Sequence, residues 1–311
     1  MLTTAFVFPG QGSQSLGMQA DLAAQHSVIA ETYSEASDVL GFDLWDLTQN
    51  GPKELLDETT NTQPAMLTAG VATWRAWQKG GGGNPAMMAG HSLGEYSALV
   101  ASGAIAFPDA VALVRRRAEL MQNAVPAGEG AMAAILGLDD DVILKVCEEA
   151  SAYGVAEAVN FNSPGQVVVA GDRAAIEKLI DIAKAAGARR ALMLAVSVPA
   201  HSSLMRPAGE ELAASIDNAG FETPEIPVIC AVDGTPYGDA TDIQERMKRQ
   251  VFSPVRWVDT MNHMKSEGVS VIVECGPGKV LAGLIKRIDR ALSTSCIDTS
   301  DALQKSLDGA A

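Results

Sequence analysis

Apolar and polar positions follow two rhythms along the chain. Ala5-Phe6-Val7-Phe8 is a short unbroken apolar run stopped by Pro9-Gly10, the mark of a buried strand entering a tight loop. Helical spacing then continues to about Gly80. Gly80-Gly81-Gly82-Gly83-Asn84-Pro85 forms a flexible connection, and Ala86-Met87-Met88-Ala89 predicts a second buried strand running straight into Gly90-His91-Ser92-Leu93-Gly94, where a helix should begin. Buried strands separated by helices need crossover connections, so the pattern predicts a mainly parallel sheet covered on both faces. This is α/β architecture.

The middle of the chain changes rhythm. The pattern predicts strand (Ala131–Leu136), helix (Asp139–Ser151), strand (Val155–Asn160), strand (Gln166–Ala170), helix (Arg173–Ala186) and strand (Ala191–Val196). That order, β-α-β-β-α-β, is the ferredoxin-like unit. It sits between two parts that share one pattern, so residues 127–197 are expected to form an inserted subdomain, with 1–126 and 198–311 making the main domain. After His201 the pattern gives a helix (Leu204–Ala219), a strand near Val228–Cys230, helices around Asp242–Gln250 and Trp257–Glu267, a strand (Val269–Val273) and a helix (Val280–Asp289).

Composition narrows the class. With 311 residues, 47% hydrophobic and 20% charged, the chain has enough apolar material for about two globular domains, which excludes disorder and collagen-like repeats. No apolar run approaches the ~20 residues needed to span a bilayer, and the first residues lack a basic region followed by a long apolar one, so an untagged soluble protein is expected. Cys147, Cys230, Cys275 and Cys296 lie far apart without a CxxC pair, which suits free thiols in a reducing cytoplasm rather than disulfides or a zinc site. No metal or redox cofactor is expected. The net charge of −15 argues against broad nucleic-acid binding, and any anionic partner must find a local basic patch.

Gly90-His91-Ser92-Leu93-Gly94 fits G-x-S-x-G in the strand-to-helix setting that a serine nucleophile requires. The plainer reading is a glycine-rich turn with a capping serine. A serine hydroxyl needs a base to take its proton. His26 and His263 lie in polar helical stretches, and the His91 side chain should diverge from Ser92 on a tight turn. His201 closes a loop at the domain junction, where clefts form, and is the best candidate base. Asp109, Asp139 to Asp141, Asp172 and Asp181 fall at helix starts or on polar faces, so a backbone carbonyl rather than an aspartate should orient the histidine. Oxyanion donors are expected from the N–H of Leu93 and from the loop Pro9-Gly10-Gln11-Gly12-Ser13. Gly10-Gln11-Gly12 with Gly17 misses G-x-G-x-x-G spacing, and Gly276-Pro277-Gly278-Lys279 lacks P-loop length.

The triple Arg115-Arg116-Arg117 sorts by geometry. On a helix from Pro108 to Ala124, at about 100° per residue from Val111, Arg117 falls at about 240°, inside the apolar arc, whereas Arg115 and Arg116 fall outside it. A guanidinium among apolar neighbours needs an anionic partner. That partner is either an internal carboxylate or the carboxylate of a substrate.

Taken together, Phe8-Pro9-Gly10-Gln11-Gly12-Ser13-Gln14, Thr62-Gln63-Pro64-Ala65, Gly90-His91-Ser92-Leu93-Gly94-Glu95, Arg117, Asn160-Phe161-Asn162-Ser163-Pro164-Gly165-Gln166, His201, Gln250 and Glu274-Cys275-Gly276-Pro277-Gly278 resemble the malonyl-CoA:acyl carrier protein transacylases of bacterial type II fatty acid synthesis. The resemblance runs from about Phe6 to Arg287. It implies a hydrolase-like α/β domain carrying the ferredoxin-like insertion, and malonyl transfer through an ester on Ser92. It further implies that His201 is base and acid, the N–H groups of Gln11 and Leu93 form the oxyanion hole, and the Gln250 carbonyl orients His201. Arg117 would hold the malonyl carboxylate, with Gln63 and Asn162 lining the pocket. Malonyl-CoA and acyl carrier protein would be the partners, with no nucleic acid or membrane. Arg189-Arg190, Lys248-Arg249, and Lys279 with Lys286-Arg287 are then candidate patches for these anions. Ala200 and Ala231 depart from the Ser and Asn common in the bacterial enzymes, which bears on acyl selectivity. A serine thioesterase or hydrolase using the same pair, and a non-catalytic carrier-binding module, remain as rival readings.

Overall fold

A computed structural model describes residues 3–196 and 198–310. Strand β1 (Thr3–Phe8) is followed by α1 (Ala20–Gln25), α2 (Ser27–Leu40), α3 (Leu44–Asn50), α4 (Lys53–Leu56) and the long α5 (Thr59–Lys79). Strand β2 (Met87–Gly90) leads into α6 (Gly94–Ala101) and α7 (Phe107–Asn123). The middle of the chain gives β3 (Gly130–Leu136), α8 (Asp140–Ala150), β4 (Ala156–Ser163), β5 (Gln166–Asp172), α9 (Arg173–Ala185) and β6 (Arg190–Met193). The remainder gives α10 (Arg206–Asp217), β7 (Val228–Ile229), α11 (Ala240–Gln250), α12 (Trp257–Ser266), β8 (Val269–Cys275), α13 (Val280–Ile288), β9 (Ser293–Ile297) and α14 (Ser300–Ala310).

Two sheets result. The first has order β7-β2-β1-β8-β9 with every neighbouring pair parallel. Its central strands are largely apolar because both faces are covered. Phe6, Phe8 and Met88 face the cluster that also holds residues of α2, α5, α6, α7 and α10. The alternate residues Ala5, Val7 and Ala89 pack against Trp257, Met261 and Met264 of α12 and Leu281 of α13. Phe6 meets Trp74 and Trp77 edge-on, with centroids 5.5 and 5.1 Å apart, which pins α5 to the sheet. Truncating such a buried ring costs about 3–5 kcal/mol.

The second sheet has order β4-β5-β3-β6, with its pairs antiparallel. Ala131, Ala133, Ile135, Val167 and Val169 bury one face against α8 and α9. The other face carries Met132, Val159, Val168 and Ala170, packed with Leu194, Val196 and Ala200. Main-chain hydrogen bonds at Val255 help stitch the second sheet to the rest of the molecule. Val255 donates to Val159 O and accepts from Phe161 N, so the segment before α12 borders β4.

Several boundaries differ from the sequence expectation. The strand expected at Ala191–Val196 ends at Met193, and Leu194 and Val196 turn away to line a cavity; Ser197 lies outside the described residues. The helix expected from Leu204 opens as a 3₁₀ turn, Ser203–Met205, before α10. Pro207 falls in the first turn of α10, where its missing N–H costs nothing. The pattern gave no element after Asp289, yet β9 and α14 follow. β9 is a half-buried edge strand, so its polar sequence lacks the apolar run of the central strands.

Candidate active site

The turn between β2 and α6 puts Ser92 at φ 53°, in the left-handed region. Glycines on either side allow this. A Cβ on Gly90 would lie 1.9 Å from the Gly94 carbonyl carbon, and one on Gly94 would lie 2.0 Å from Phe8 O. Gly10 completes the approach, because a Cβ there would sit 2.5 Å from His91 O. The loop after β1 and the serine turn therefore pack backbone against backbone, joined by His91 N–H donating to Phe8 O at 3.0 Å. Holding a serine at positive φ costs of order 1–3 kcal/mol, which the surrounding packing must offset.

Ser92 Oγ lies 2.6 Å from His201 Nε2. On the far side of the ring, Nδ1 faces Gln250 O at 2.9 Å and Ser253 O at 3.1 Å. Carbonyl oxygens only accept, so Nδ1 carries the hydrogen and Nε2 presents its lone pair to the serine hydroxyl. Burial, and then the nearby Arg117 charge, push the His201 pKa down to about 3, against the two carbonyls, which raise it. The ring is neutral at physiological pH.

Arg117 comes from the inward face of α7 and is 1% exposed. Nη1 donates to Gln63 Oε1 at 2.6 Å and Nη2 to Gln250 Oε1 at 3.0 Å, while Nη2 lies 3.4 Å from Ser92 Oγ. Its Nε has no protein partner, and the guanidinium lies 5.6 Å from the centroid of the Tyr96 ring. Among the described residues it makes no ion pair. Burial pulls its pKa down, yet a guanidinium stays charged. The internal carboxylate that sequence reasoning allowed is therefore not in contact with it.

The backbone N–H groups of Gln11 and Leu93 donate to no protein acceptor among the described residues. Both residues line the same cavity of about 240 Å³ as Ser92, His201, Arg117, Gln63 and Asn162. Gln250 lies behind it, 1% exposed. Met132 and Val168 of the second sheet, Leu194 just beyond β6, and Val280 and Leu284 of α13 also line the cavity. His91 Nε2 meets Asn162 Oδ1 at 2.7 Å. Burial lowers the His91 pKa, so the neutral ring donates there and the Asn162 amide N–H groups remain for the cavity. His91 thus turns away from the serine, as the tight turn required. His26 and His263 are half-buried and do not line the cavity.

The aspartates that sequence reasoning set aside do not line the cavity either. Asp172 accepts from Val155 N at 2.7 Å, and Asp139, at the start of α8, makes no side-chain cap. Arg115 also differs from expectation. Pro64 has no N–H for the Thr60 carbonyl, and that oxygen accepts from Arg115 Nη1 at 2.8 Å, so the side chain is half-buried rather than solvated. Arg116 is exposed and pairs with Glu211.

Two residues escaped sequence reasoning. Ser253 supplies the second carbonyl to His201, and Glu95 is a carboxylate with no exposure. Glu95 accepts from Ala231 N and Tyr237 Oη, each at 2.8 Å, and from Gln250 Nε2 at 2.5 Å. The signal for Glu95 was an acid in the otherwise apolar and small helix Gly94–Ala101. Among the described residues no group of three or more His, Cys, Asp and Glu side chains is placed to hold a metal ion. The cysteines are free, and burial raises the thiols of Cys147, Cys230 and Cys296 to about 12. No helix is long and apolar enough to cross a membrane among the described residues.

Of the basic patches, Lys248, Arg249 and Lys279 are paired with Asp217, Asp233 and Asp298. Arg287 donates to Gln166 at the cavity wall. Lys286 stands beside it on α13, with no ion pair among the described residues. Arg189 and Arg190 are exposed.

The acyl transferase domain family model matches residues 5–300. The malonyl CoA-acyl carrier protein transacylase of Escherichia coli (strain K12) is 53% identical over 308 residues, covering 99% of this chain and 100% of its own. That of Bacillus subtilis (strain 168) is 42% identical over 305 residues, covering 98% and 96%. Among solved structures, the malonyl CoA-acyl carrier protein transacylase from Coxiella burnetii superposes with a TM-score of 0.98 at 46% identity, covering 99% of this chain and 97% of its own. A malonyl-transacylase in complex with its type II PKS acyl-carrier protein superposes with a TM-score of 0.98 at 50% identity, covering 99% of both chains.

Proposed function

The chain belongs to the acyl transferase family and transfers malonyl groups from malonyl-CoA to acyl carrier protein for fatty acid synthesis; from that premise we propose that the transfer runs through an ester on Ser92. The observation that carries this reading is the 2.6 Å contact between Ser92 Oγ and His201 Nε2 beside an arginine that has no carboxylate partner. Ser92 Oγ attacks the thioester carbonyl as its proton passes to His201 Nε2. The oxyanion receives the N–H groups of Gln11 and Leu93, each donor supplying about 2.7–4 kcal/mol. On collapse the carbon–sulfur bond breaks, His201 returns the proton to the CoA sulfur, and malonyl-Ser92 remains. The carrier's phosphopantetheine thiol then gives its proton to His201, attacks the ester, and Ser92 leaves with that proton. Gln250 O holds the ring in the required tautomer.

Arg117 pairs the malonyl carboxylate through its unoccupied N–H groups, and Gln63 fixes the guanidinium from the other side. Asn162 offers its amide N–H groups to the bound acyl chain. These steps call for no cofactor besides the two thioester partners, and we place them in the cytoplasm. An arginine poised for a carboxylate favours transfer of an acidic acyl group over hydrolysis, and the intact Ser92-His201 pair speaks against a non-catalytic carrier-binding module.

The parallel order β7-β2-β1-β8-β9 supports a hydrolase-like catalytic domain of residues 1–126 and 198–311. The antiparallel order β4-β5-β3-β6 with α8 and α9 on one face supports a ferredoxin-like subdomain of residues 127–197. Intact-mass measurement after brief mixing with malonyl-CoA tests the mechanism. A malonyl adduct should form, leave on addition of holo carrier, persist in its absence, and be missing in Ser92→Ala. Rapid loss without carrier would favour the hydrolase, and an adduct persisting in Ser92→Ala would exclude this serine.

A further inference from the structure

Glu95 has no part in the steps above, yet it is fully buried three residues after the nucleophile, in the first turn of α6. Ala231 N, Tyr237 Oη and Gln250 Nε2 all donate to it. Two of these groups can only donate, so the contacts fit a carboxylate rather than a carboxylic acid. Burial raises the Glu95 pKa, and the three hydrogen bonds oppose that rise.

Glu95 grips one amide that serves the whole site. Gln250 Nε2 faces Glu95 Oε2 and Ser92 O, so Gln250 Oε1 is turned to Arg117 Nη2 while the main-chain oxygen of the same residue faces His201. Among the described residues, Glu95 is the one carboxylate hydrogen-bonded to any of Ser92, Arg117, His201 and Gln250. A direct Glu–Arg contact would occupy the N–H groups needed by a substrate carboxylate. Interposing a neutral amide keeps the negative charge near and those N–H groups open.

We propose that Glu95 is a positioning residue for the transfer: through Gln250 it holds Arg117 and His201 in place, and its charge offsets the second cation formed when His201 takes the Ser92 proton beside Arg117. The inference rests on the Ser92–His201 reading above. Two positive charges at close range in a poorly hydrated site repel strongly, and the position that aspartate fills in a serine–histidine–aspartate triad is here one residue further back.

The test is the rate and half-saturation of Ser92 acylation by malonyl-CoA in the full chain, read by intact mass, for Glu95→Gln and Glu95→Asp. Glu95→Gln keeps the shape and removes the charge; acylation should slow by about ten-fold or more, with no rise in half-saturation because the pocket has become more positive. Glu95→Asp keeps the charge on a shorter side chain and should recover part of the loss. Acylation by Glu95→Gln within about two-fold of wild type, or by Glu95→Asp slower than by Glu95→Gln, would overturn the proposal, since shape alone would then matter. If neither variant folds, Tyr237→Phe serves, as it removes one donor and leaves the carboxylate. A fall of about three-fold or more at unchanged half-saturation supports the role, and a wild-type rate overturns it. Wild-type protein in parallel separates the two ideas: no malonyl adduct there sinks the ester mechanism, whereas a normal adduct beside an unimpaired Glu95→Gln sinks only the part given to Glu95.

Discussion

Ser92 and His201, 109 residues apart in the chain, both hold their backbones at positive φ, 53° and 67°, and their side chains meet at 2.6 Å. Nucleophile and base are thus each mounted on a strained residue, and the strain fixes where the two side chains can point.

The strain at residue 92 can be measured. Ser92→Gly and Ser92→Ala both remove the hydroxyl, but only glycine accepts positive φ freely. Ser92→Gly should therefore be more stable than Ser92→Ala by about 1 kcal/mol in urea unfolding. Coincident midpoints would mean that the turn relaxes.

Arg117 should govern the choice of acyl group. Arg117→Ala removes charge-assisted hydrogen bonds worth about 1.5–3 kcal/mol, so malonyl kcat/KM should fall roughly ten- to hundred-fold while acetyl transfer falls far less. Parallel assays with malonyl-CoA and acetyl-CoA decide this, and equal losses would remove the arginine from selectivity.

His201 makes stability depend on pH. Burial, then Arg117, hold its folded pKa at about 3 against an ordinary value of 6.5. Between these values the unfolded chain binds a proton that the folded protein refuses, so stability falls as pH falls through that window. Wild type should lose about 2 kcal/mol more than His201→Gln between about pH 7.5 and 5. Urea titrations at the two pH values check this, and equal losses would mean that the folded ring accepts the proton.

Carrier recognition should depend on α13. Lys286→Glu with Arg287→Glu places acidic groups beside the cavity wall of a protein already at −15. The KM for acyl carrier protein should rise several-fold more than that for malonyl-CoA, and more so at low salt. Unchanged carrier kinetics would exclude this face.

Much of the site was legible because it depends on local rules. Glycines at 90 and 94 bracketing Ser92 signalled a sharp strand-to-helix turn, though not its positive φ, and the position of Arg117 on the apolar arc of a helix signalled burial. Glu95 was not legible as part of the site, because its partners lie 136, 142 and 155 residues away and only the folded sheet brings them together. Ser253 was missed for a related reason: it acts through its carbonyl, which no side-chain pattern records. The strand β9 was missed because edge strands need not be apolar.

The stitch at Val255 sits beside a contact to the imidazole. Val255 is bonded to β4 on either side, and Ser253, two positions earlier, turns its carbonyl toward His201. One three-residue stretch of main chain, 253–255, therefore holds both a strand of the second sheet and the imidazole of the catalytic pair.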